Sequence, residues 1–211
     1  MTPNRINVYS IVSQKYGFIY TVTPKIACSS IRLAMHHKLY PENKDRKLGW
    51  MHWHEHHSEE VDIINLSLYK FVFIRNPYDR LVSFWSDKIN RMKSKKPGER
   101  KYWQSLKFKP KMPFKTCVKR ISAFPYKIAN KHFRPQTQMI HFDVYDFIGR
   151  FETIQKDWRF LMDKFGLPSL PHKNQSKHRH YSSYYDEETI ELATKYYKQD
   201  LEQLGYKFEK I

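Results

Sequence analysis

Twice in this chain a short apolar run stops at a polar loop that leads straight into a helix, and those two junctions constrain the fold most. Gly17-Phe18-Ile19-Tyr20-Thr21-Val22 is β-branched and aromatic and stops before Pro24. It reads as a buried strand. A helix is predicted over 29–38, with Ile31, Ala34 and Met35 on one face. Lys70-Phe71-Val72-Phe73-Ile74 is the second strand. Asn76 then suits an N-cap, Pro77 the first helical position and Asp79 the third. That helix is predicted to run to about Arg91.

The remaining signals extend this alternation. A third strand is predicted over 144–151, and helices over 114–130, 153–165 and 186–204. The last carries Glu187, Glu188 and Glu191 near its positive end. Residues 93–115 carry nine lysines and arginines with breakers at Pro97-Gly98, Pro110 and Pro113. They read equally as a mobile basic insertion or as a lid or rim that draws in an anionic acceptor. If that segment served as a rim, Tyr102, Trp103 and Phe108 would suit stacking on sugar rings. Strands alternating with helices imply an α/β fold. A mostly parallel central sheet would be flanked by helices on both faces, in one domain over 1–211. Ligands on such sheets bind at the carboxyl ends of the strands.

Both junctions carry chemistry at that end. In Thr23-Pro24-Lys25-Ile26-Ala27-Cys28-Ser29-Ser30, the turn from strand to helix exposes main-chain N–H groups at the positive end of a helix dipole. That arrangement favours an anion. Ser29 and Ser30 add hydroxyl donors and Lys25 a mobile cation. The loop has no glycine, so it is not the Gly-rich phosphate loop of nucleotide kinases. In the second junction, Arg75 ends an apolar strand, where a charge needs an anionic or hydrogen-bonding partner. Its guanidinium fork suits a phosphate. Ser83 lies two turns further on. Asp79 and Arg80 have a plain reading as cap and surface residues, which is favoured for Asp79.

Net charge points the same way. The 211 residues carry +17, which calls for anionic partners. The two cysteines, Cys28 and Cys117, form no disulfide framework or zinc pattern. No run approaches the ~18–20 apolar residues needed to span a bilayer. The expectation is a cytoplasmic protein, with any membrane contact peripheral.

Together the two motifs resemble the cofactor signature of the membrane-type carbohydrate sulfotransferases. The matching residues are Pro24-Lys25-Ile26-Ala27-Cys28-Ser29-Ser30 and Arg75-Asn76-Pro77-Tyr78-Asp79-Arg80-Leu81-Val82-Ser83. Three later segments are also similar to that family: His132-Phe133-Arg134-Pro135-Gln136, Tyr145-Asp146-Phe147-Ile148-Gly149-Arg150-Phe151-Glu152, and the tail from Tyr184 to Tyr206. The likeness covers Gly17 to Tyr206, as in a soluble, bacterial-type member. It implies a P-loop-like sulfotransferase fold. The donor would be 3′-phosphoadenosine 5′-phosphosulfate (PAPS), the product adenosine 3′,5′-bisphosphate (PAP), and no metal would be required. The acceptor would be a hydroxyl, on a glycan that is itself anionic in some members.

The resemblance also assigns roles. Lys25 would stabilise the departing phosphate. Pro24, Lys25, Ile26, Ala27, Cys28, Ser29 and Ser30 would hold the 5′-phosphate, and Arg75 and Ser83 the 3′-phosphate. Lys177 and Arg179, in a basic loop before the last helix, would close over the nucleotide. A general base must take the acceptor proton. In the uronyl 2-O-sulfotransferase branch it is a His roughly twenty residues before the strand-end Arg, which fits His54 or His52 here. In other branches the His-x-x-Pro-Gln element would supply it, as His132. The cluster His52, His54, His56 and His57 does not have the His-Glu-x-x-His spacing of zinc proteases. Two other classes compete: a P-loop-like nucleotide kinase, which the glycine-free loop argues against, and a basic nucleic-acid-binding module, for which no motif is present.

Overall fold

The computed structural model describes residues 7–41, 59–171 and 179–210, the side chains of 7, 8 and 59–61 excepted. Its contacts cluster into two compact units. The first is Met1–Ile74 with Met139–Asn174, and the second is Arg75–Gln138 with Gln175–Ile211.

The first unit holds a five-stranded sheet: β1 (Asn7–Ser13), β2 (Phe18–Thr21), β3 (Glu59–Asp62), β4 (Tyr69–Ile74) and β5 (Phe147–Arg150), in the order β3-β1-β2-β4-β5. β2, β4 and β5 are parallel, and β1 runs antiparallel to both β2 and β3. Four of the five strands therefore point the same way, and the α/β expectation of a mostly parallel sheet holds. Ile11, Tyr20, Phe71 and Phe147 are consecutive partners across the sheet and share one face. Helix α1 (Cys28–Leu39) packs Ile31, Ala34 and Met35 into the core on that face, the three residues its periodicity singles out. Trp158 and Leu161 join that core from a later helix of this unit (Ile154–Phe165). Burying one such leucine is worth ~2 kcal/mol. Gly149 has a packing reason: a Cβ there would stand 2.4 Å from the Phe73 ring.

Two strands carry no apolar run and were not expected. β3 is Glu-Glu-Val-Asp at a sheet edge. β1 mixes Ser and Asn with its β-branched residues.

The second unit is helical. It comprises α2 (Pro77–Phe84), α3 (Pro97–Ser105), α4 (Phe114–Ser122), α6 (Glu187–Tyr196) and α7 (Lys198–Leu204), with α5 being the Ile154–Phe165 helix of the first unit. α2 begins as its sequence predicts. The Asn76 side chain accepts from Tyr78 N at 3.0 Å, with Pro77 in the first turn. It then widens into a π-helical stretch, Trp85–Asn90. The helix predicted over 114–130 stops at Ser122, because Pro125 disfavours helical geometry just before it. The terminal helix breaks at Tyr197, whose ring is buried and whose hydroxyl donates to Phe133 O at 2.8 Å.

The basic segment 93–115 differs from expectation. It contains α3, and Trp103 and Phe108 are 2% and 1% exposed. Phe84 lies at the centre of their aromatic cluster, 5.3 Å from Trp103, 5.9 Å from Phe108 and 5.3 Å from Phe133 between ring centroids. Trp103 and Phe108 are thus core residues and do not offer rings for stacking on a sugar. The charges decorate a packed element.

Candidate functional site

The loop after β2 is held at both flanks. Thr23 Oγ1 donates to Phe73 O at 2.8 Å, fixing the end of β2 to the end of β4. Ile26 is fully buried in the core under the loop. Only its main chain is therefore available to a ligand. Lys25 and Ala27, on either side, have φ of 71° and 46°. Left-handed geometry at a non-glycine residue costs on the order of 1 kcal/mol or more. Such turns aim successive N–H groups to one side, as in anion-binding concavities. Helix α1 starts immediately, with Ala27 as N-cap, no side-chain cap bond and no acidic residue in its first turn. Asn76 caps α2, and Asp186 caps α6 with a capping box. The first turn of α1 instead carries Cys28, Ser29 and Ser30 at the positive end of the dipole. Left-handed turns leading into a helix start without a side-chain cap are the backbone arrangement of anion-binding loops.

In the second unit, Arg75 is nearly buried and its fork closes on one carboxylate oxygen. Nε lies 2.9 Å and Nη2 2.8 Å from Asp79 Oδ2. Asp79 is therefore the residue that orients Arg75, more than a cap. Ser83, one turn beyond Asp79 on the same face of α2, is 5% exposed. The Arg75 main chain is clamped as well: its N–H donates to Gln136 Oε1 at 3.0 Å, and Gln136 Nε2 donates to Arg75 O at 2.8 Å. Fully buried Asp200 holds the clamp, accepting from Gln136 N at 2.7 Å, Thr137 N at 2.8 Å and Thr137 Oγ1 at 2.8 Å.

Arg80 is 1% exposed, not a surface residue. Burial lowers its pKa, with Tyr197 and Asp200 opposing that shift. Its Nη1 donates to Arg134 O and its Nη2 to Lys131 O, both at 2.8 Å. These bonds pin the turn that carries His132. The His132 Nδ1 lies 2.7 Å from Asn130 Oδ1, and the ring meets Trp103 edge-on at 5.8 Å.

The profile of the Sulfotransferase family matches residues 9–207, nearly the whole chain. The chain belongs to the sulfotransferase family. Carbohydrate sulfotransferase 9 of Homo sapiens is 25% identical over 222 residues, covering 90% of this chain and 47% of that protein. The chain thus spans about half the length of the curated relative it matches. No solved structure matches it.

In this sulfotransferase, the residues expected to hold the 5′-phosphate form one continuous loop, and Arg75, Ser83 and His132 all lie in the second unit. His52, His54 and Lys177 lie outside the described residues, and Arg179 is exposed. Among the described residues no helix is long and apolar enough to cross a membrane. Three residues carry weight to which the sequence reading gave no role: Asn130, Gln136 and Asp200. Asp200 did leave a trace. Tyr196, Asp200 and Leu204 recur every fourth residue, and all three are buried. A carboxylate on an apolar stripe implies buried donors to meet it.

Proposed function

We propose that this sulfotransferase moves the sulfuryl group of PAPS to a hydroxyl of a carbohydrate acceptor. The observation that carries the reading is the loop Lys25–Ser30. Its two left-handed residues and uncapped helix start make a place for a phosphate, at the position the family's donor motif occupies. The family match and the carbohydrate-acting relative support the reaction class and the acceptor class.

The donor supplies the sulfuryl group and leaves as PAP. Main-chain N–H groups from Ile26 to Ser30, with the two serine hydroxyls, hold the 5′-phosphate. Lys25 places its ammonium beside the bridging oxygen, where negative charge grows as the S–O bond lengthens. Arg75, oriented by Asp79, and Ser83 bind the 3′-phosphate. No metal is needed in this scheme, since lysine and helix N–H groups supply the positive charge. A histidine takes the acceptor hydroxyl proton as its oxygen attacks sulfur. The candidates are His132, His54 and His52.

The test is thermal. PAP without magnesium should raise the melting temperature of the chain. Stabilisation by magnesium–ATP alone would favour a kinase, and by oligonucleotides alone a nucleic-acid-binding module; either overturns the reading.

A further inference from the structure

We infer that Asn130 is a positioning residue that locks His132 in the Nδ1–H tautomer, leaving the lone pair that takes the acceptor proton on Nε2. The inference rests on the proposed sulfuryl transfer and selects His132 among its three candidate bases.

Asn130 Oδ1 accepts from the His132 main-chain N–H at 2.9 Å. A main-chain nitrogen can only donate, so the atom facing it must be the amide oxygen. That settles the orientation of the side chain, which is ambiguous for most asparagines. The same oxygen lies 2.7 Å from His132 Nδ1. An amide oxygen can only accept, so Nδ1 must carry the hydrogen. In the neutral ring the lone pair is then on Nε2. The Asn130 amino group donates to the Tyr102 hydroxyl at 2.5 Å, which completes the hold on the side chain.

The backbone under the ring is held with equal care. Asn130 O accepts from Phe133 N at 3.0 Å and Arg134 N at 2.8 Å, closing a tight turn around His132. Arg80 holds the carbonyls of Lys131 and Arg134, and Tyr197 that of Phe133. Arg134 Nε donates back to Ala129 O at 2.9 Å. Two residues beyond Arg134, Gln136 clamps the Arg75 main chain. His132 is thus on the same braced stretch that positions Arg75. A histidine that only filled space would not need its tautomer fixed and its turn braced from three sides; a base does, because proton transfer depends on which nitrogen faces the substrate.

The charged and titratable side chains bonded to this turn or to Asn130 are Arg80 of α2, Arg134 of the turn itself and Tyr102 of α3. The full chain, with histidine labelled in nitrogen, gives a direct reading. A long-range proton–nitrogen spectrum should show His132, identified by its loss in His132→Ala, as Nδ1–H above its pKa. Turnover should fall ~100-fold in His132→Ala and ~10-fold in Asn130→Ala, with the KM for PAPS unchanged in both. Asn130→Asp keeps an acceptor for both donors and adds a negative charge, which favours the imidazolium and raises the pKa of His132. A base must be neutral, so the acid limb of its pH–rate profile should move to higher pH, with turnover recovering above it. A limb that stays in place would mean that His132 is not the base. A wild-type His132 protonated on Nε2, or an Asn130→Ala enzyme with unaltered kcat and pH limb, overturns the lock. Full turnover in His132→Ala overturns the choice of base even if the spectrum shows Nδ1–H. If the wild-type chain transfers sulfuryl to no acceptor, the proposed function fails while the spectrum still decides the tautomer.

Discussion

The loop Lys25–Ser30 and the Arg75–Gln136–Asp200 lattice solve the placement of polar groups in opposite ways. In the loop, main-chain conformation does the work: two left-handed residues and a helix start without a side-chain cap. In the lattice, buried side chains do it, with partners at 2.7 to 3.0 Å around Gln136 and Asp200. The loop holds its shape at a local conformational cost. The lattice is closed on itself and gives stability while fixing the main chain from which Arg75 projects. Groups of the first kind should therefore be dispensable for folding and essential for turnover. Groups of the second kind should be the reverse.

The sharpest way to break that contrast is Lys25→Ala. Lys25 is half-buried and its left-handed φ is no worse for alanine. Removing one preorganised cation from developing charge should lower turnover ~1,000-fold, with the melting temperature almost unchanged. A large loss of thermal stability with modest loss of rate would erase the distinction.

Asp200→Ala tests the other side. It strands the buried Gln136 N–H and two partly buried Thr137 donors, and unsatisfied buried donors cost ~1–3 kcal/mol each. A net loss of ~3 kcal/mol should lower the melting temperature by roughly 10 °C. The protein that remains folded should still bind PAP, more weakly, because Arg75 loses the brace behind its main chain. Calorimetry with and without PAP separates the two effects. Unchanged stability would mean that the lattice is not what holds this unit together.

The same contrast explains what could be read in the sequence. β2 and β4 stand out because each is a run of apolar side chains, and α2 because its capping residues are local. The start of α1 is legible because a strand, a proline and a run of helix formers are all neighbours in sequence. β3 has no apolar signal, since an edge strand of Glu and Asp looks like a loop. The Trp103 segment misleads because its lysines outnumber the few aromatics that anchor it in the core. Asp79 and Arg80 have roles set by partners: Asp79 by the neighbouring Arg75, Arg80 by carbonyls more than fifty residues away. Asp200 serves Gln136 across sixty-four residues. Pairings at such separations are fixed by packing, and a single sequence carries only their residue types.

The smallest predicted effect is the most discriminating about the loop. Ala27→Gly should relieve ~1–2 kcal/mol of left-handed strain. It should also return ~0.5–1 kcal/mol to the unfolded chain as entropy. The balance is a gain of roughly 0.5–1 kcal/mol and ~2 °C in melting temperature. The same glycine lets the loop sample other shapes before a ligand arrives. If the alanine is retained to keep N–H groups aimed at a phosphate, the more stable variant should bind PAP a few-fold more weakly, because ordering the loop now opposes binding. Calorimetric titration with PAP reads this directly. Weaker binding in a more stable protein would show that strain at Ala27 serves the ligand. Equal binding would reduce that strain to an accident of the turn and leave Lys25 and the start of α1 to hold the phosphate by charge and dipole alone.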